Sequence, residues 1–315
     1  MKKTTHGAVT IIEEKIDSTF NLWSMFCSDV HLDSVYCDRE AFFADLDDAK
    51  ARNARVYIFG DLFDAMQGRF DPRRSMEELR PEYRRADYYD FVIKDAARLL
   101  KPYASNIELI ARGNHETSVL KNANTDLIDR LVYVLNVENG TTITTGGYGG
   151  WVMWRLDSGA KHTIRMKYFH GSGGEAPVTR GAIQTNRQAV YLPEADMVVN
   201  GHSHNSYYIP ISRERVTDSG RQYFDLQHHI RVPGYKQSYG DGTSGWEVER
   251  GGVPKPIGCA YVEMRLIYPR VSQGITNRGG AIDVQVYPRV RGGEAISSTP
   301  GMYTGAVYAQ DSEGA

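Results

Sequence analysis

Five short polar clusters, each directly behind an apolar run, constrain this chain more than any other feature. In chain order they are Ser28-Asp29-Val30-His31, Gly60-Asp61-Leu62-Phe63-Asp64, Gly113-Asn114-His115-Glu116, His170-Gly171 and Gly201-His202-Ser203-His204. The runs before them, residues 22–27, 56–59, 107–111, 164–169 and 197–199, read as strands. In an open α/β sheet the ends of several strands converge on one crevice, so side chains far apart in sequence meet there. Among the residues that would meet are two Asp, four His and one Asn, with no Cys. That inventory suits a pair of divalent metals on oxygen and imidazole ligands, built for chemistry on a phosphate.

Each cluster taken alone also has a bland reading. Asp and His after a strand often only cap a turn. Gly113-Asn114 reads as a left-handed turn that puts an amide ligand beside an acid–base group, His115. His202 and His204 stand at i and i+2, which share one face of an extended segment. Five such clusters in this order, each at the end of an apolar run, go beyond what turn capping produces.

In these motifs the chain resembles the calcineurin-like metallophosphoesterases. Asp-x-His, Gly-Asp-x-x-Asp, Gly-Asn-His-[Asp/Glu], a lone His and Gly-His-x-His all occur in order between Asp29 and His204. Within that family the chain is most similar to the double-strand-break-repair nucleases and the phage-encoded phosphoesterases. Ser28-Asp29-Val30-His31-Leu32-Asp33, the glycines after His170 and the stretch Val232-Pro233-Gly234-Tyr235-Lys236 carry that likeness. Arg112-Gly113-Asn114-His115-Glu116 also resembles the protein Ser/Thr phosphatases. That branch follows Gly-Asp-x-x-Asp with Arg-Gly, whereas Ala65-Met66 stands here, and it generally lacks the second His that His204 supplies.

The resemblance implies an α/β fold, a two-sheet β-sandwich flanked by helices in αββα layers. It implies that Asp29, His31, Asp61 and His204 hold one metal and that Asp61, Asn114, His170 and His202 hold the other. A bridging carboxylate agrees with ions about 3.5–4 Å apart, and such a pair acidifies a water for attack on phosphorus. His115 would protonate the leaving oxygen, since imidazole is the side chain suited to acid–base work near neutral pH. Asp64 would orient that imidazole. Glu116 reads instead as a favourable charge in the first turn of a helix. The ligand set without thiolate tolerates Mn, Fe, Zn or Co, with Mn²⁺ favoured.

Hydrophobic content of 41% with 24% charged residues describes a globular chain, and a net charge of −2 gives no global pull toward nucleic acid or anionic membrane. A nuclease is still compatible, because metals supply local positive potential. The first residues lack the apolar core of a signal peptide, and no apolar run approaches the ~20 residues that span a bilayer. Cys27, Cys37 and Cys259 are too few for a disulfide framework and point to a reducing, cytoplasmic compartment.

The expected organisation is a lead-in over 1–20, a metallophosphoesterase domain over 21–270 and a Gly-rich extension over 271–315. Residues 39–53, 87–100 and 125–135 carry helical spacing, and the order strand–helix–strand around the first gives a βαβ rhythm. Between Asp64 and the second helix lie Arg69, Arg73, Arg74, Arg80, Arg84 and Arg85, set among acids. They read either as substrate contacts or as a solvated face. Tyr83, Tyr88 and Tyr89 offer stacking surface or core. Arg187 is a candidate clamp for a phosphate oxygen. The alternating run 281–290 and the tail beyond it read either as an edge hairpin plus a loose end or as an arm that docks on a neighbouring subunit.

The function expected from all this is hydrolysis of a phosphodiester in DNA, RNA or a nucleotide. The alternatives are a phosphomonoesterase and a metal-binding scaffold without catalysis.

Overall fold

The computed structural model describes residues 1–65, 77–174, 178–217, 220, 222–237, 239, 246–249, 251–268, 270–271, 275–276 and 280–291. Arg69, Arg73 and Arg74 and the tail 292–315 lie outside the described residues.

Two sheets face each other. The larger contains β1 (Lys2–His6), β2 (Val9–Lys15), β7 (Gly149–Asp157), β8 (Lys161–Phe169), β9 (Met197–Asn200), β11 (Gln222–Arg231) and β10 (Tyr207–Val216), in that spatial order. The smaller runs β15 (Ala281–Arg291), β12 (Ile257–Ile267), β3 (Asn21–Cys27), β4 (Arg55–Phe59), β5 (Ile107–Ala111) and β6 (Thr144–Gly146). A small hairpin, β13 (Arg270–Val271) with β14 (Ile275–Thr276), lies between β12 and β15 in the chain. Strands β3 to β6 are parallel neighbours, as are β8, β9 and β11.

Alternation along the central strands divides the core into two layers. Phe26, Tyr57, Phe59 and Leu109 point between the sheets, where they meet Trp154, Met166, Tyr168, Met197 and Val199. Their sequence neighbours Met25, Cys27, Val56, Ile58 and Ile110 point the other way, onto helices α1 (Arg39–Ala51), α2 (Tyr88–Leu100) and α4 (Leu127–Asn139). Buried on both faces, these strands read as continuous apolar runs, as parallel sheets do. Local signals set the helix ends: Asp38 caps α1 through the Ala41 amide at 2.9 Å, and Asp126 caps α4 through Asp129 at 3.0 Å.

The sheets draw on residues outside 21–270. The expected lead-in supplies β1 and β2, because the β2 backbone pairs in parallel with β7 and Lys3 reaches Glu108 at 2.6 Å. The alternating run 281–290 lies in an edge strand, paired with the whole of β12. Arg289 and Arg291 on it meet the fully buried Asp45 of α1, which fastens this edge to the helical layer. No helix among the described residues is long and apolar enough to cross a membrane.

Candidate metal centre

All five polar clusters follow the carboxyl ends of parallel strands: β3, β4 and β5 from one sheet, β8 and β9 from the other. Main-chain bonds stitch the loops together. Asp29 N donates to Gly60 O (2.9 Å), His31 N to Asp61 O (3.1 Å) and Gly201 N to His170 O (2.8 Å). Across the two sheets, His202 N donates to Asp29 Oδ2 at 2.7 Å. Asp29, His31, Asp61, His202 and His204 all have positive φ, between 50° and 73°. Side chains other than Gly adopt that region at a cost of about 1–2 kcal/mol each. Such conformations cluster where the fold forces side chains toward a shared point.

The side chains converge as two groups. In the first, Asp29, His31 and His204 bring potential ligand atoms within 4.8 Å of one another, with His204 Nε2 at 3.4 Å from Asp29 Oδ1. Asp29 Oδ1 and His31 Nε2 are buried without a hydrogen-bond partner, an expensive arrangement unless a cation completes it. In the second, Asp61, His170 and His202 converge likewise, and His170 Nε2 lies 3.1 Å from Asp61 Oδ2. Asn114 Oδ1 joins this group at 3.1 Å from His170 Nε2 and 2.8 Å from His202 Nδ1. His170 Nδ1 faces the Phe59 carbonyl at 2.9 Å. A carbonyl only accepts, so Nδ1 carries a hydrogen and Nε2 is the nitrogen turned to the group. The donor chemistry of both groups fits divalent cations.

A third grouping, His31, Asp64 and His115, does not. Lys236 Nζ already sits 3.0 Å from Asp64 Oδ1, where its charge opposes a cation. Asp64 meets His115 chiefly through its main chain. Its carboxylate is 2.8 Å from His31 Nδ1 but 3.8 Å from His115 Nδ1. His115 Nδ1 is instead held by the Asp64 main-chain oxygen at 2.5 Å. Its Nε2 lies 3.8 Å from Asp61 Oδ2, at the side of the cluster.

Two sequence readings of local geometry are corrected. Gly113 is extended rather than left-handed, and Asn114 begins α3 (Asn114–Ala123). Glycine is required there because a Cβ would fall 2.1 Å from Asp61 Oδ1. Residues 201–206 form no strand, and with both histidines at positive φ, His202 and His204 turn to different groups instead of sharing one face.

Glu116 and Asp33 are the functional supports that the sequence reading missed. Glu116 is buried, and its carboxylate accepts from Gly113 N (2.8 Å), Asp61 N (3.1 Å) and Phe63 N (3.0 Å). Asp33, also buried, accepts from Asp64 N (2.6 Å), Ala65 N (3.0 Å) and the Tyr88 hydroxyl. Only the acid of the Gly-Asn-His-Glu motif and the extended Asp-x-His-x-Asp spacing hinted at them.

Burial and charge set the protonation of the rings. Burial pushes the His31 imidazole down to about 4 despite Asp64 beside it, so the ring is neutral at pH 7. Burial also lowers His202. His170 is opposite: burial opposes its charge, but Asp61 and Asp29 outweigh that and raise it to about 10. Burial raises the Asp61 carboxyl, yet His170 and His115 hold it well below the usual carboxylate range. Glu116 is pushed up to about 7 by burial and by Asp61.

Arg187 is exposed on α5 (Ala182–Tyr191), with no hydrogen bond or ion pair to the cluster among the described residues. Arg80 donates to the Ser34 and Cys37 carbonyls, Arg84 to Leu79 and Glu77, and Arg85 pairs with Asp87 while covering the Phe91 ring. Tyr83 and Tyr88 are core residues.

Residues 23–206 match the family model for calcineurin-like phosphoesterases. No curated protein sequence gives a significant match. Among solved structures, the chain is similar to a Streptococcus pneumoniae protein described as a predicted phosphoesterase. The two are 12% identical over 85% of this chain and 98% of that one, with a TM-score of 0.32. It is also similar to Vps29 of Entamoeba histolytica solved with zinc, at 9% identity over 84% and 98% with a TM-score of 0.32. For GAP50 of Plasmodium the identity is 12% over 85% and 89%, with a TM-score of 0.35.

Proposed function

The chain belongs to the calcineurin-like phosphoesterase family, metal-dependent hydrolases with a dinuclear centre, and from that premise we propose a phosphodiesterase acting on nucleic acid or nucleotides. The observation that carries the reading is the convergence of two ligand groups, Asp29/His31/His204 and Asp61/His170/His202, with Asn114 Oδ1 between the two rings of the second. Asp61 is assigned as the shared ligand. When bound, a divalent pair supplies Lewis-acid stabilisation of the phosphoryl oxygens and an acidified water. Mn²⁺ is the proposed metal, on a donor set of carboxylate, amide and imidazole.

The protein's own part in the chemistry centres on His115. The Asp64 carbonyl keeps the hydrogen on Nδ1, so Nε2 is the nitrogen that gives a proton to the leaving oxygen. Asp61, at 3.8 Å, keeps that side of the ring turned toward the reacting phosphate. The preference for a diester rests on His204, which completes the first group and is generally missing from the protein phosphatase branch. The three cysteines are free and buried, which fits a reducing cytoplasm.

The test is turnover by the Mn²⁺-loaded protein on single- and double-stranded DNA, RNA, cyclic nucleotides, and aryl phosphate mono- and diesters. Cleavage of a nucleic-acid or nucleotide diester well above any monoester is expected. Hydrolysis confined to monoesters overturns the diester reading, and no hydrolysis of any member overturns the enzyme.

A further inference from the structure

Resting on the metal reading above, we infer that Lys236 is a positioning residue for the Asp29/His31/His204 group and acts through Asp64. Its side chain is only 12% exposed, and Nζ lies 3.0 Å from Asp64 Oδ1 and 3.1 Å from Glu78 Oε2. The same Oδ1 stands 2.8 Å from His31 Nδ1. One carboxylate oxygen therefore lies between a buried ammonium and the far side of a proposed ligand ring. The Asp64 amide is itself fixed by Asp33 at 2.6 Å, so the carboxylate has little freedom to follow His31 if its cationic partner is removed.

Lys236 also stands where three loops meet. Its backbone bridges to Cys37, and Tyr235 before it donates to Asp29 O and accepts from Asp38 N, both at 2.8 Å. Gly234 passes so close that a Cβ there would lie 2.8 Å from His204 Nδ1 and 2.9 Å from Asp29 O. The stretch 234–236 thus touches every member of the first group directly or through Asp64. The second group takes its orientation elsewhere, from the Phe59 carbonyl on His170. Loss of Lys236 is therefore a one-site defect. Partners behind a metal ligand typically change metal affinity by about 10–100-fold.

The experiment is a calorimetric Mn²⁺ titration of the parent, Lys236→Met and Lys236→Arg, with metal content measured after dialysis. The parent is expected to bind two ions. Lys236→Met should keep one at parental affinity and weaken the other about 10–100-fold, while Lys236→Arg restores most of the loss. Two ions bound as in the parent, or both weakened alike, overturns the inference. A parent that binds fewer than two ions overturns the underlying metal reading instead. If Lys236→Met does not fold, Asp64→Asn is compared with Asp64→Asn/Lys236→Met, which buries no ion pair at this point. The second change should then add nothing to the first, because both act on one path. Additive losses would refute the route through Asp64.

Discussion

Glu116 offers the sharpest test of how the centre is built. Its Oε2 accepts from the amides of Gly113 and Asp61, its Oε1 from that of Phe63, and all three bonds are buried. Glu116→Ala leaves three buried N–H donors without acceptors. Each such orphan costs about 1–3 kcal/mol, so even the low end of the range gives a loss of about 3 kcal/mol. Glu116→Gln keeps one acceptor oxygen. Turned to serve Gly113 and Asp61, it places an NH₂ against the Phe63 N–H and orphans that one donor, at a cost of about 1–3 kcal/mol. The assay is urea denaturation of the metal-free proteins followed by tryptophan fluorescence, which separates loop organisation from metal linkage. A Glu116→Ala loss under about 1 kcal/mol at unchanged m-value would refute the role given to this side chain. A Gln variant as unstable as the Ala variant would show that charge, not acceptance of amide hydrogens, matters there.

The remaining expectations concern metals and chemistry. His115→Ala should retain both metals yet lower kcat about 10²–10⁴-fold for substrates with poor leaving groups, and much less for an activated aryl ester; loss of metal content would contradict its assignment. Asp61→Ala should deplete both ions, seen as metal content after dialysis, and one ion retained at full occupancy would argue against a shared ligand. Gly113→Ala drives a Cβ to 2.1 Å from Asp61 Oδ1, so it should lower metal content while α3 survives by circular dichroism. Chelation should lower the melting temperature and added Mn²⁺ restore it, since an ion at one hundred times its Kd stabilises by about 2.7 kcal/mol; an unchanged melting curve would count against a structural share for the metals.

Sequence alone determined the strands that end at the site and the order of the residues behind them. Residues 107–111 and 164–169 are strand, and Asp29, Asp61, Asn114, His170, His202 and His204 do converge. These features are legible because a buried strand and the turn after it leave a local pattern within a few residues. Tertiary structure decided which loop supports which ligand. The Asp64 carboxylate goes to His31 and its carbonyl to His115, Glu116 gathers amides from a loop 53–55 residues away, and Lys236 reaches Asp64 across 172. His202 and His204 separate because positive φ at both breaks the alternation that an extended segment would keep. β2 joins β7 through backbone pairing, which leaves little mark on side-chain pattern at a strand so far away in the chain. Periodicity records which way a residue faces; what it faces depends on loops brought together only when the two sheets close.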